Sequence, residues 1–136
     1  MYSSVGKARM VPPEQRKVEW ARAVTNLYKV CQLAQEAGLV IALEPLNRFE
    51  SDLVNTAADV LRLVQDINHP AAKVMLDESL TSRDSANKAL AAGACDLFNI
   101  RLSKHGGPIG ALRLIELAHQ HGLRYQLGTH PGETAI

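Results

Sequence analysis

The chain has 136 residues, 46% of them hydrophobic and 21% charged, with a net charge of +1. That is a globular composition, long enough to bury about two-thirds of the unfolded surface in one domain. With no long run of either charge, nothing draws it to nucleic acid or an anionic membrane, and small neutral ligands are the expected partners.

The N-terminal "MYSSVGKARMVPPEQRK" has no apolar stretch of the signal-peptide kind, so the expected location is the cytoplasm, without membrane insertion. Pro12 and Pro13 lead into "EQRKVEWARAVTNLYKVCQLAQEAG", where Trp20, Val24, Leu27, Cys31 and Ala34 recur at helical spacing and Gly38 suits the C-terminal cap. "LVIAL" then reads as a strand, followed by Glu44 and the turn-like "PLNRFE". The same order recurs in "NTAADVLRLVQDIN", a helix capped by Thr56, and in "AKVML", a strand ending at Asp77. "SRDSANKALAAG" is a helix closed by Gly93, and "DLFNIRL" is a strand followed by Lys104. "IGALRLIELAHQHG" is a helix stopping at Gly122, before the strand "LRYQL" and the loop "GTHPGETAI". Cys31 and Cys95 lie far apart in apolar surroundings, without metal spacing, and are expected as buried thiols rather than a disulfide.

Four helix-plus-strand units with nearly all-apolar strands predict an α/β fold whose parallel sheet is buried on both faces. Glu44 and Asp77 are 33 positions apart, and Asp77 and Lys104 are 27 apart, close to the roughly 30 residues of a βαβ unit. A complete eight-unit barrel takes about 250 residues, so a single domain over 1–136 amounts to about half of a TIM-type (βα) barrel. Its edge strands and inner face then need covering, and a homo-oligomer is expected.

Functional residues in such sheets gather at the C-terminal ends of the strands. Glu44 and Asp77 end neighbouring strands there, where two carboxylates repel unless a cation lies between them. The alternative is that acids simply meet solvent at strand ends. Lys104, an amine at another strand end, is either a base with a lowered pKa or a solvated lysine. His69, His119 and His121 suit turns and helix ends, whereas His105 and His130 fall in strand-end loops. "KHGGPIG" is a tight turn or an anion cradle, Asn47 and Arg48 suit fixing the "PLNRFE" loop, and the direction of Arg101 is open.

Two family resemblances overlap on this frame. "YSSVGKARMVPPEQRK", "VIALEPLNRFE" and "LVNTAADVLRLVQDINHPAAKVMLD", spanning residues 2–77, resemble ketose 3-epimerases of the tagatose/psicose type, in the xylose-isomerase-like barrel group. The resemblance implies that Glu44 is a metal ligand and proton-transferring residue, Asp77 a further metal ligand and Glu50 a sugar contact. It also implies a divalent metal, manganese, cobalt or magnesium, that polarises the carbonyl. After Asp77 the match ends: Glu78, Ser79 and Leu80 stand where the family has an aromatic residue and a histidine, and a second catalytic glutamate has no counterpart.

Residues 74–136, with "LDES" and "FNIRLSKHGG", are similar to the late barrel strands of the enolase superfamily, in the mandelate racemase and muconate-lactonizing branch. That resemblance implies Asp77 as a carboxylate metal ligand and Lys104 as a general acid or base, with a looser match at Glu133. The two halves, 1–77 and 78–136, read as a chimera joined at Asp77. Both resemblances imply proton transfer next to a carbonyl, with a ketose sugar as the leading substrate and a hydroxy acid as the alternative. In the leading reading Lys104 supplies the missing second acid/base. A catalytically silent chimera or truncated barrel is the third reading.

Overall fold

The computed structural model describes residues 12–49, 51–77 and 79–128. A short 3-10 turn at Pro13–Gln15 opens into α1 (Arg16–Glu36), and β1 (Ile41–Leu43) follows. Then come α2 (Ala57–Ile67), β2 (Ala72–Leu76), α3 (Arg83–Ala91), β3 (Leu97–Arg101), α4 (Gly107–Gln120) and β4 (Arg124–Gly128). The four strands form one sheet in the order β1-β2-β3-β4, each pair parallel. Sequential parallel neighbours joined by helices are the winding of a (βα) barrel, and the four predicted units are all present.

Local chemistry sets the element ends. Thr56 caps α2 by accepting from the Asp59 N–H at 3.1 Å, while Asp59 Oδ2 accepts from the Thr56 N–H at 2.9 Å, a reciprocal capping box. Ser82 and Ser85 build the same device at α3. Gly38 ends α1 with φ +69°, a left-handed turn that glycine adopts without steric cost.

The helices pack on one side of the sheet. In the larger core Val74 and Leu76 of β2 and Phe98 and Ile100 of β3 lie against Val60 of α2, Ala86 of α3 and Leu114, Leu117 and Ala118 of α4. In the smaller one Cys31, Trp20, Val24 and Leu27 of α1 meet Leu63, Ile67 and Ala72. Each large side chain so buried contributes roughly 1.5–3 kcal/mol.

The other side of the sheet departs from the expectation of strands buried on both faces. Strand alternation and the register Met75↔Leu97 and Leu97↔Arg124 put Lys73, Met75, Asp77, Leu97, Asn99, Arg101, Arg124 and Gln126 on this second face. Among the described residues no helix meets this face: Arg124 and Gln126 of β4 are exposed on it, whereas Met75, Asp77 and Asn99 are buried nearer its middle. This is the concave side of a barrel wall, where polar side chains collect near the strand ends.

At the opposite end of the sheet Asp96 fixes the register of β2 and β3. Its Oδ2 accepts from the Val74 N–H at 2.9 Å, and its own N–H donates to the Val74 carbonyl at the same distance. The free end of the register is therefore the end that carries Asp77 and Arg101.

Candidate active site at the C-terminal ends of β2 and β3

Asp77 follows β2 directly and is only 2% exposed. The pairing Leu76↔Phe98 continues to set Asp77 beside Asn99 on the concave face, with Arg101 two positions further along β3. Asn99 Nδ2 donates to Asp77 Oδ2 at 2.7 Å, and the Arg101 guanidinium donates to the same oxygen. Lys104, in the turn after β3, donates from Nζ to the Asp77 carbonyl at 2.5 Å and stands 3.5 Å from Asp77 Oδ1. One buried carboxylate thus holds two cations and an amide in a small polar cluster. Charge-assisted contacts of this kind are the strong ones, and removal from bulk water makes each matter more.

Asn99 is as buried as Asp77, and its Oδ1 has no hydrogen-bond partner among the described residues. That oxygen faces Gly128 of β4: a Cβ there would come within 2.6 Å of it, so a larger residue at 128 would push the Asn99 amide aside. Motif spacing alone does not bring out Asn99. The signal was there in "LFNIR", since apolar Phe98 and Ile100 alternate with polar Asn99 and Arg101, putting the latter two on the face of Asp77.

His105 ties the two loops around this cluster together. Its Nδ1 accepts from the Arg101 N–H at 3.0 Å, which leaves the proton on Nε2 to donate to the Leu80 carbonyl at 2.6 Å. The ring is a structural clamp between the loop after β2 and the loop after β3. His69 acts within its own turn, accepting from the Ala71 N–H at 3.2 Å. His119 lies beside the Tyr125 ring, with centroids 5.6 Å apart.

The other sequence candidates fall as follows. Glu44 directly follows β1 on the same concave face, but the pairing Leu43↔Val74 sets it level with Met75, two positions short of Asp77. Its Oε2 is buried. Asn47 organises the next loop, its Oδ1 accepting from the Phe49 N–H at 2.9 Å. Glu50, Glu78, His130 and Glu133 lie outside the described residues. Cys31 and Cys95 are free thiols, the first buried and the second half-buried. Burial pushes the Cys95 thiol up to about 11, which keeps it protonated and unreactive at neutral pH.

The donor set bears directly on a divalent metal. Among the described residues no three His, Cys, Asp or Glu side chains converge. The carboxylate charge of Asp77 is already met by Arg101 on one oxygen and Lys104 beside the other. As arranged, the described residues do not fit a divalent cation at Asp77. The carboxylate is stabilised there by side-chain cations instead.

Sequential parallel βα units with a charged cluster at the C-terminal strand ends define the (βα)-barrel fold class. The chain belongs to the Xylose isomerase-like TIM barrel family, whose sequence profile matches residues 3–121. It is 40% identical over 62 residues to the D-psicose 3-epimerase of Ruminiclostridium cellulolyticum, covering 46% of this chain and 21% of that protein. It is 31% identical over 101 residues to muconate cycloisomerase 1 of Pseudomonas putida, covering 74% of this chain and 24% of that one. The crystal structure of D-psicose 3-epimerase with D-tagatose from Clostridium cellulolyticum H10 superposes with a TM-score of 0.64 at 26% identity, covering 88% of this chain and 44% of that one. The chain therefore spans less than half the length of these relatives. Both resemblances read from the sequence are present in these matches, the epimerase one the stronger.

Proposed function

We propose that the chain acts in an epimerase-type or isomerase-type proton transfer next to a carbonyl, on a ketose sugar. The observation that carries this reading is the convergence of Arg101 and Lys104 on buried Asp77 at the active edge of the sheet. Family membership and the likeness to D-psicose 3-epimerases support the choice of reaction and substrate.

In this reading a ketose lies along the concave face with its carbonyl oxygen toward Arg101 and Lys104. Glu44 takes the proton from the neighbouring carbon, and the C–H electron pair moves to form an enediolate. The two cations stabilise the developing oxygen charge, a preorganised electrostatic effect. The Lys104 ammonium returns a proton to the opposite face of the carbon, which inverts it. Asp77 positions both cations, and Glu50 contacts the sugar hydroxyls. A second copy of the chain, pairing with the edges of β1 and β4, completes the wall around the substrate.

A second reading places a carboxylate substrate on the same cations, in the manner of an enolase-type racemase or cycloisomerase. The likeness to muconate cycloisomerase 1 favours it.

The test is deuterium exchange from solvent into ketohexoses and 2-hydroxy acids, with and without added manganese, magnesium or cobalt. The expected result is exchange into a ketohexose that falls by about a hundredfold or more in Glu44→Gln and in Lys104→Met, the usual scale for loss of a proton-transferring group. Exchange confined to 2-hydroxy acids would move the assignment to the second reading. No exchange under any of these conditions would sink both and leave a catalytically silent barrel fragment.

A further inference from the structure

Beside the Asp77 cluster, between the start of α3 and the start of α4, lies a cavity of about 340 Å³. Thr81, Ser82 and Arg83 line it from one side, and Lys104, Gly106 and Arg113 from the other. This is the lower end of the volume range of small-ligand sites.

The charge in the cavity is one-sided. Three of the lining side chains are cations, and no carboxylate of the described residues joins them. Lys104 spends its ammonium on Asp77. Arg83 and Arg113 are different: among the described residues neither takes part in an ion pair. Both line the same cavity, and each guanidinium presents a planar fork suited to oxygen anions. The Ser82 Oγ accepts from the Ser85 N–H, which leaves its own O–H to donate. The fourteen-residue helix α4 also begins at this cavity, with no acidic residue in its first turn, so its dipole adds to the positive potential.

We propose that this cavity is an oxyanion site that holds a phosphate or carboxylate group through Arg83, Arg113 and the Ser82 hydroxyl. Lys104 lines the cavity and also reaches Asp77, so an anion held here sits one side chain away from the proposed reacting carbonyl. The site therefore narrows the substrate to a ketose that carries an anionic group. That last step rests on the proton-transfer reading, whereas the oxyanion site does not.

The test is calorimetric titration of the 136-residue chain with inorganic phosphate and, separately, with acetate, at ionic strength held constant with sodium chloride. No turnover is needed, so a failure here is distinct from a failure of deuterium exchange. Arg83 and Arg113 are exposed, and the variants Arg83→Gln and Arg113→Gln are expected to fold. Saturable binding of either ion is expected, weakened about fivefold or more in each variant through loss of a charge-assisted hydrogen bond, and unchanged in Lys17→Gln on α1. Which ion binds identifies the group, phosphate or carboxylate. The proposal is overturned if neither ion binds saturably, or if Lys17→Gln weakens binding as much as the arginine variants do.

Discussion

Asp77 is the polar residue on which the strand-end cluster converges. It holds Arg101, Lys104 and Asn99, themselves largely removed from water, and its oxygens match their charge and donors. Removing one partner of such a cluster strands the rest in a poorly solvated place. Asp77→Ala is therefore expected to destabilise the fold by about 3–5 kcal/mol, read as a lower urea midpoint at unchanged slope. An effect below about 1 kcal/mol would show that Arg101 and Lys104 reach solvent easily and that the cluster is loose. Sequence spacing brought out Asp77 and Lys104, and alternation left Arg101 undecided. The fold decided that point, because Arg101 shares the inward face with Asn99, and Asn99 neighbours Asp77 across the ladder.

At the scale of elements, the helix caps were the most legible features. Thr56 was identified as a cap from its place before an apolar helical stretch, and it makes the reciprocal pair with Asp59. Burial pushes the Asp59 carboxyl up, but the hydrogen bonds from the Thr56 hydroxyl and from the Asn55 and Thr56 N–H groups outweigh it, so its pKa lies below the ordinary 3.8. A depressed carboxylate pKa stabilises the fold above the unfolded value, and that contribution is lost as pH falls through the folded value. Thr56→Ala should thus cost about 1 kcal/mol at neutral pH, and the gap to wild type should narrow below about pH 4. Denaturant titrations of both proteins at the two pH values check this, and a gap that widens in acid would contradict it.

At the scale of the whole molecule, the sheet has one face covered by helices and a second that, among the described residues, meets none and becomes exposed at β4. Among the described residues β1 pairs only with β2, and β4 only with β3. Strand edges with unpaired backbone groups readily accept another strand. The 136-residue chain is accordingly expected to run as a dimer or larger species in size-exclusion chromatography with light scattering. A purely monomeric species at tens of micromolar protein would contradict the assignment of a second copy to those edges.

Helix periodicity, capping residues and short apolar strands determined the order of the elements, because each depends on residues only a few positions apart. Glu44, Asp77 and Lys104 were placed at strand ends for the same reason. What the sequence could not settle was how far each strand slides against its neighbour, and which side the helices leave bare. Register is fixed by contacts between distant segments, such as Asp96 with Val74, and it alone decides that Glu44 lies level with Met75 while Asp77 meets Asn99 and Arg101. Two nearby carboxylates had suggested a metal between them. What the tertiary structure adds is two side-chain cations at Asp77, which meet the charge of a carboxylate removed from water.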